Sequence, residues 1–530
     1  MKHLHKYLSA ILTFAMVFAF GIAATPAFAA EPTHTITINK ATGDKVDHTY
    51  EAYQVFAGKY DDTEKNLSNV TWGTGVNGDG LLTALKANTV DESLKGKFDS
   101  CTTAADVAKV MSGFTNDSTE MKALAEVINA NLSSTKATTG TSPLTVTGDG
   151  YYFVKDADTT DTGDTAKTRY IMQVVGDVTV TSKSSVPTVE KKVKEKNDTT
   201  GTTTDWQDAA DYDIGDEIPY QITGTLPSTF DDYKTYTTYT FTDTLSEGLD
   251  ITNAQLAAVT VKVGDTDVKS HFDVTYTNHV LTVSLKSGED MKTWTPALTA
   301  DSTIVVNYSA TLTKDAVIGS EGNPNTVNLK FSNNPNAGGN GDFGKTPDDK
   351  VIVFTYEIKA QKVGEDGKTA LEGAGFTLYK EVTTKGTDGA SDSTEWVQIG
   401  NEITGVTTFE FKGTDAGKYK LVETTVPAGY KKADDIEFTV TATYDTSSDD
   451  PKLTSLTVTP AEANFTVTTT TNDDGKSITT DGIVSTKVIN EKGSTLPSTG
   501  GMGTKIFYIL GAVLVIGGGI VLVSRKRMSR

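Results

Sequence analysis

Ile358-Lys359-Ala360-Gln361-Lys362 alternates, so that Ile358, Ala360 and Lys362 fall on one side of an extended chain, because successive side chains of a strand point to opposite faces. Near the other end of the same region, Val484-Ser485-Thr486-Lys487-Val488-Ile489-Asn490 places Val484, Val488 and Asn490 on one side. Each run therefore carries one reactive polar group, an amine or a carboxamide, on a face otherwise fit for a core. Similar alternation, with threonine on the wet side, recurs in Thr35-Ile36-Thr37-Ile38, Val178-Thr179-Val180, Val259-Thr260-Val261-Lys262-Val263, Thr303-Ile304-Val305-Val306 and Phe438-Thr439-Val440. Short period-two runs punctuated by Gly, Asn and Asp predict half-buried antiparallel strands and a mainly β chain of tandem sandwiches. The exception is 81–131, where Ala, Leu, Met and Lys recur at helical spacing, notably over 104–111 and 121–128. The first domain is thus expected to hold a helical insert.

Composition sets the boundaries. The chain has 530 residues, room for about three domains of ordinary size once two processed ends are removed. A Ser-rich stretch at 182–187 closes the first, and a stretch rich in Asn, Gly, Pro and Asp at 333–349 closes the second. The expected division is 1–30, removed on export; 31–185; 186–349; 350–493; and 494–530, a sorting tail.

A net charge of -21 and a pI near 4.8 exclude nucleic acid as a partner, since phosphate binding needs a basic surface. Cys101 is the only cysteine, so no disulfide braces the chain from within. One cysteine and six histidines are too few for a structural zinc site to be expected. Asp156, Asp158, Asp161 and Asp164 cluster in one segment, but their spacing fits no EF-hand and reads as a solvated loop, so no metal is expected. No Ser-His-Asp, zinc or phosphate-loop constellation is present, and neither an enzyme nor a cofactor is expected.

The two ends read as addresses. Lys2, His3, His5 and Lys6 precede an apolar stretch from Leu8 to Ala23, and Ala27-Phe28-Ala29 forms an A-x-A cleavage site, the pattern of a secretory signal peptide. At the other end, Leu496-Pro497-Ser498-Thr499-Gly500 precedes an apolar run from Ile506 to Val523 and then Arg525, Lys526, Arg527 and Arg530. The run is long enough to cross a bilayer, with its positive flank on the cytoplasmic side. The three parts together resemble the tripartite signal of sortase substrates. That resemblance implies that a sortase cysteine attacks the carbonyl of Thr499, releases Gly500 onward, and passes the Thr499 acyl group to an amine.

The third domain carries further motifs. The strand ending at Lys362 is followed by Glu365-Asp366-Gly367-Lys368 and Leu371-Glu372-Gly373-Ala374-Gly375-Phe376. Tyr419-Lys420-Leu421-Val422-Glu423-Thr424-Thr425-Val426-Pro427-Ala428-Gly429-Tyr430 comes later, and Val488-Ile489-Asn490 closes the domain. This resembles the first strand, E-box and last strand of a CnaB-type domain, the immunoglobulin-like module of Gram-positive pilins and adhesins. The resemblance implies an intramolecular isopeptide bond between Lys362 and Asn490, promoted by Glu423. Physical chemistry agrees: burial favours the neutral, nucleophilic form of an amine, and a buried acid can donate to the carboxamide oxygen.

The middle domain repeats the logic. In Pro187-Thr188-Val189-Glu190-Lys191-Lys192-Val193, Val189, Lys191 and Val193 share a face. Phe241-Thr242-Asp243-Thr244-Leu245-Ser246-Glu247-Gly248-Leu249 resembles the acid-bearing strand of CnaA-like and pilin middle domains, which implies Asp243 as the acid. In Asn325-Thr326-Val327-Asn328-Leu329-Lys330-Phe331-Ser332-Asn333, both Asn325 and Asn333 fall on the face of Val327, Leu329 and Phe331. A parallel pairing of first and last strands would favour Asn325 as partner of Lys191, with Asn333 in reserve.

The first domain resembles the N-terminal domain of backbone pilins through Tyr50-Glu51-Ala52-Tyr53-Gln54-Val55-Phe56-Ala57-Gly58 and Trp72-Gly73-Thr74-Gly75. Lys40 sits where a cross-linking lysine could sit, but Ser184 occupies the place where some relatives put the partner asparagine, so no such bond is expected there. Val178-Thr179-Val180-Thr181-Ser182-Lys183 resembles the pilin motif that ends in the lysine accepting the next subunit, although Tyr-Pro is lacking. Lys183 is the expected acceptor, with Lys192, Lys194 and Lys196 as competitors.

Taken together, the chain resembles a Gram-positive, sortase-assembled backbone pilin with an LPXTG anchor. The resemblance implies a secreted, wall-anchored fimbrial shaft subunit that supports adhesion. Its implied partners are further copies of itself, pilus and housekeeping sortases, peptidoglycan, minor pilins and host surface ligands. The alternative is a monomeric wall-anchored adhesin that binds host matrix or glycan.

Overall fold

The computed structural model describes residues 31–493 apart from 42–43, 45, 62, 65, 158–162, 337–341, 388–389, 461–463 and 472–476, together with residues 502–528. The leader Met1 to Ala30, the sorting residues Leu496 to Gly500, and Asp158 and Asp161 lie outside the described residues.

The architecture is mainly β, in tandem immunoglobulin-like units. The first unit packs the strand set Thr33–Asn39, Leu144–Thr147 and Val178–Thr181 against a larger sheet built on Thr49–Asp61 and Gly150–Asp156. Thr33–Asn39 and Val178–Thr181 run parallel, with Ile36 opposite Val178 and Ile38 opposite Val180. The helical insert consists of Gly78–Leu85, Ala104–Met111 and Thr119–Ala130. Asn77, Thr103 and Ser118 cap these helices with their side chains, satisfying N–H groups that a first turn leaves open. Leu81, Leu85, Val107, Met111, Leu124 and Ile128 then close over Phe56 and Phe153 of the sheet. Asp156 is not a solvated loop acid. It is buried, takes Nδ1 of His48 at 2.6 Å and accepts from the Thr168 N–H at 2.5 Å. Asp44 holds Nε2 of the same ring at 2.7 Å. Burial by itself would depress the imidazole, but Asp156 and Asp44 outweigh it and hold His48 charged, pushed up to about 10.

The middle unit is a sandwich of two large sheets. In one, Glu217–Thr225 lies between Val189–Val193 and Thr303–Leu312. In the other, Tyr239–Leu245 lies between Asn323–Ser332 and Val280–Leu285. The first strand and the asparagine strand therefore face each other across the core. They are not paired side by side, so the parallel pairing considered from sequence does not occur. Asp349–Phe354 also pairs with Asn323–Ser332, antiparallel, so the middle sheet extends through Phe354. In the third unit Tyr356–Val363 runs parallel to Ser477–Ile489, with Ile358 opposite Val484 and Lys362 opposite Val488. The parallel register puts Lys362 beside the end of the last strand, where Asn490 follows.

The middle and third units meet in a charged joint. Lys380, in Gly375–Thr384, is buried. Its amine reaches Asp198 at 2.8 Å, Asp213 at 2.7 Å and Asp415 at 2.6 Å. The first two acids belong to the middle unit and the third to the third unit. Backbone bonds cross the same seam, from Ile214 N–H to Gly413 O and from Thr383 N–H to Asp198 O. Burial and the charge of Asp213 push neighbouring Asp216 up to about 6. The folded joint therefore binds that proton more tightly than the unfolded chain does. Its stability rises as pH falls through 6 toward 4 and drops as pH climbs past 6. Replacing Lys380 by methionine would strand three acids. Removing one partner of a buried pair costs roughly 3–5 kcal/mol. Hydrogen exchange of residues 195–201 and 380–384 should accelerate in that variant at pH 7.5, and less so at pH 5.

The tail is one helix, Met502–Met528. Its segment Lys505–Met528 is apolar enough to cross a membrane, with mean hydropathy 2.7, and none of it is buried by the described residues.

Candidate cross-linking sites

In the third unit, Lys362 lies on Tyr356–Val363, Glu423 on Gly417–Thr425, and Asn490 just past Ser477–Ile489. All three are buried. The Lys362 amine donates to Oδ1 of Asn490 and stands 3.3 Å from Oε1 of Glu423. The Asn490 Nδ2 donates to both Glu423 oxygens, at 2.9 and 3.1 Å. Glu423 is fixed in turn by the Ala433 N–H at 2.7 Å. Burial lowers the affinity of the Lys362 amine for its proton, and the charge of Glu423 only partly offsets this. The sequence suggests an acid donating to the carboxamide oxygen. Here Glu423 instead holds the nitrogen, the atom that must leave when an amine attacks the carbon. Oε1 touches both nitrogens, which suits a carboxyl group that carries a proton from the attacking one to the leaving one.

In the middle unit, Lys191 is fully buried. Its amine meets Asp243 at 2.7 and 2.8 Å and the Tyr308 hydroxyl at 2.8 Å. Tyr308 donates to Asp243 and accepts from Nδ2 of Asn325 at 2.7 Å. Oδ1 of Asn325 is buried with no hydrogen-bond partner among the described residues. The amine also lies 5.0 Å from the ring centres of both Tyr220 and Tyr308. Burial depresses Lys191 and raises Asp243, in each case against the pull of the other's charge. This favours a shared proton over two full charges in an apolar core. Asn333 lies elsewhere, at the seam with the first unit, where its Nδ2 donates to Thr165 O at 3.3 Å.

Tyr308 has no place in the sequence reading, yet it joins Lys191, Asp243 and Asn325. Its signal was available: on Thr303–Leu312 the inward residues are Ile304, Val306, Tyr308, Ala310 and Leu312, and a hydroxyl in such a row needs a polar partner.

In the first unit, Lys40 is two-fifths exposed and pairs with Asp47 at 2.6 Å, while the buried Ser184 bonds to Ser182 at 2.7 Å. Lys183 is 39% exposed and pairs with Asp117. Of its competitors, Lys192 is held by Asp208 at 2.5 Å and Glu190 at 3.1 Å, Lys194 lies 4.9 Å from the Trp206 ring centre, and Lys196 is 3.4 Å from Asp198.

The β-sandwich units carry buried amine, acid and carboxamide groups and are followed by an apolar tail helix. Residues 214–335 match the family model for the Gram-positive pilin backbone subunit 2, Cna-B-like domain. Residues 356–452 match a prealbumin-like fold domain, and residues 489–529 match the LPXTG cell wall anchor motif. The trypsin-resistant surface T6 protein of Streptococcus pyogenes serotype M6 is 30% identical over 285 residues, 51% of this chain and 49% of that protein. The match thus spans about half the length of this curated relative. The solved T6 backbone pilin of serotype M6 Streptococcus pyogenes superposes with a TM-score of 0.51 at 18% identity, covering 88% of this chain and 100% of that one. The full-length major pilin SpaD of Corynebacterium diphtheriae gives a TM-score of 0.42 at 18% identity, covering 89% and 100%. Three segments of the chain thus match a Gram-positive pilin backbone domain, a prealbumin-like domain and an LPXTG cell-wall anchor.

Proposed function

We propose that this chain is the structural shaft subunit of a covalent pilus. A sortase cleaves between Thr499 and Gly500 and joins Thr499 to Lys183 of the next copy, and the finished fibre is attached to peptidoglycan in the same way. Such head-to-tail association does not close on itself and so makes a fibre. Minor pilins and host surface ligands are further partners of the assembled fibre. Two internal amides brace each subunit, Lys362 to Asn490 and Lys191 to Asn325, promoted by Glu423 and by Asp243. In each, the lysine nitrogen bonds to the side-chain carbonyl carbon of asparagine and ammonia leaves. The domain limits that go with this reading are those expected from composition, except that the middle unit runs on through Phe354.

The observation that carries this reading is the mutual contact of Lys362, Glu423 and Asn490 inside the third unit, for which a fold without a cross-link has no use. A buried lysine is rare unless paired, and here it is packed against the one group it can displace. The test is the intact mass of the purified mature protein, followed by digestion. Each bond removes one ammonia, about 17 Da, so a deficit of about 34 Da is expected, with branched peptides joining Lys362 to Asn490 and Lys191 to Asn325. An unshifted mass would refute the bracing.

A further inference from the structure

We propose that Asp117 is the proton acceptor for the Lys183 amine, and that the helical insert serves to present it. This rests on the reading of Lys183 as the linkage lysine.

Lys183 lies at a cleft of about 190 Å³ where the first and middle units meet, bordered by Met121, Tyr170 and Pro335. Its amine contacts Oδ1 of Asp117. Asp117 has φ of 60°, a left-handed backbone that aspartate tolerates better than most residues other than glycine. It occupies the turn between Ala104–Met111 and Thr119–Ala130, just ahead of the capping residue Ser118. The turn folds the carboxylate back over Lys183, which is 66 positions away in sequence. The surroundings hold that geometry from both units. Arg169 stands 4.0 Å from Asp117 and 3.1 Å from Asp232 of the middle unit, and Lys122 pairs with Asp232 at 2.6 Å. Glu126, also at the cleft, is engaged with Lys234. Among these groups Asp117 is the carboxylate in contact with the Lys183 amine. Burial works against its charge, but Lys183 and Arg169 prevail and hold the carboxyl below the usual carboxylate range.

The chemistry needs such a group. An ammonium has no lone pair, so Lys183 must lose a proton before it attacks the Thr499 carbonyl carbon of the sortase thioester. Asp117 takes that proton and passes it to water. The C–N bond then forms, the C–S bond breaks, and the thiolate leaves with the electron pair. The second proton lost from nitrogen goes to the thiolate.

The experiment uses the mature protein, a pilin-polymerising sortase and a synthetic Leu-Pro-Ser-Thr-Gly peptide as acyl donor. Peptide mass spectrometry reads acylation of Lys183 between pH 6 and 10. Asp117→Asn should slow acylation about 100-fold at pH 7, the scale of a lost general base. That deficit should shrink as pH rises and the free amine no longer needs an acceptor. Asp117→Glu should restore most of the rate. Two results would overturn the proposal: wild-type rates in Asp117→Asn, or a deficit that neither pH nor glutamate relieves. Lys183→Arg separates the two readings. If it keeps the label on another lysine, the assignment of Lys183 itself has failed. If it abolishes the label while Asp117→Asn behaves as wild type, only the role of Asp117 has failed.

Discussion

Lys183→Arg is expected to abolish the ladder of very high-mass species in boiled SDS extracts of the cell wall, leaving one band at the mass of the single subunit. Arginine keeps the positive charge and the pairing with Asp117, so folding and export should be unaffected. It cannot act as a nucleophile, because a guanidinium does not give up its proton in a protein. The effect should be all or none, since each fibre joint needs the amine. Arginine at Lys192, Lys194 or Lys196 should leave the ladder intact. These side chains are engaged by Asp208, the Trp206 ring and Asp198, respectively, and none lines the cleft at which Lys183 stands. A ladder that survives Lys183→Arg would move the joint to another lysine. A wild-type protein that never ladders would favour the monomeric adhesin.

Glu423→Ala should leave the third unit about 17 Da above the mass calculated for that variant's cross-linked form, because ammonia is retained when the group carrying the proton is removed. Loss of the cross-link should then appear as lost stability. Lys362 and Asn490 are 128 positions apart, and closing a loop of that length is worth about 5 kcal/mol in the chain-entropy account of cross-links. For a unit of this size that corresponds to a fall in Tm of roughly 15–25 °C. The variant also loses the contact with Ala433, so Lys362→Arg is the companion that keeps the acid and removes the nucleophile. Both should unfold early and become open to protease. A Glu423→Ala protein that still falls about 34 Da below its own calculated mass, two ammonias short, would show that bond formation does not need this acid.

Local geometry accounts for what could be read in the sequence. Strand side chains alternate, so Ile358, Ala360 and Lys362, or Val327, Leu329 and Phe331, announce their inner face without knowledge of the partner strand. Helix spacing announced the insert over 81–131 in the same way. Contacts between strands that are not neighbours stayed hidden. Tyr308 joins groups from both sheets of the middle unit, and no periodicity specifies which inward residues meet across a core. Lys380 reads as an ordinary strand lysine, yet its acids Asp198 and Asp213 are 182 and 167 positions away. The run Val351 to Phe354 reads as the opening of the third domain but hydrogen-bonds to the middle sheet. Asp117 was overlooked because a left-handed turn between two helices leaves no mark in hydrophobic pattern.

The position of Lys183 at the edge of the first unit has a mechanical consequence. With the linkages proposed, tension enters the subunit at Lys183 and runs along the backbone to Lys191. It crosses to Asn325, follows the chain to Lys362, crosses to Asn490 and leaves through Thr499. A sandwich stretched without its bond would pay out slack, on the order of 400 Å for a span of 128 residues at full extension; the bonded one holds its length. The whole of the first unit, with its helices and its His48 cluster, hangs beside this line of pull as a pendant. It has no need of a covalent brace, and its surface can change without altering the strength of the fibre.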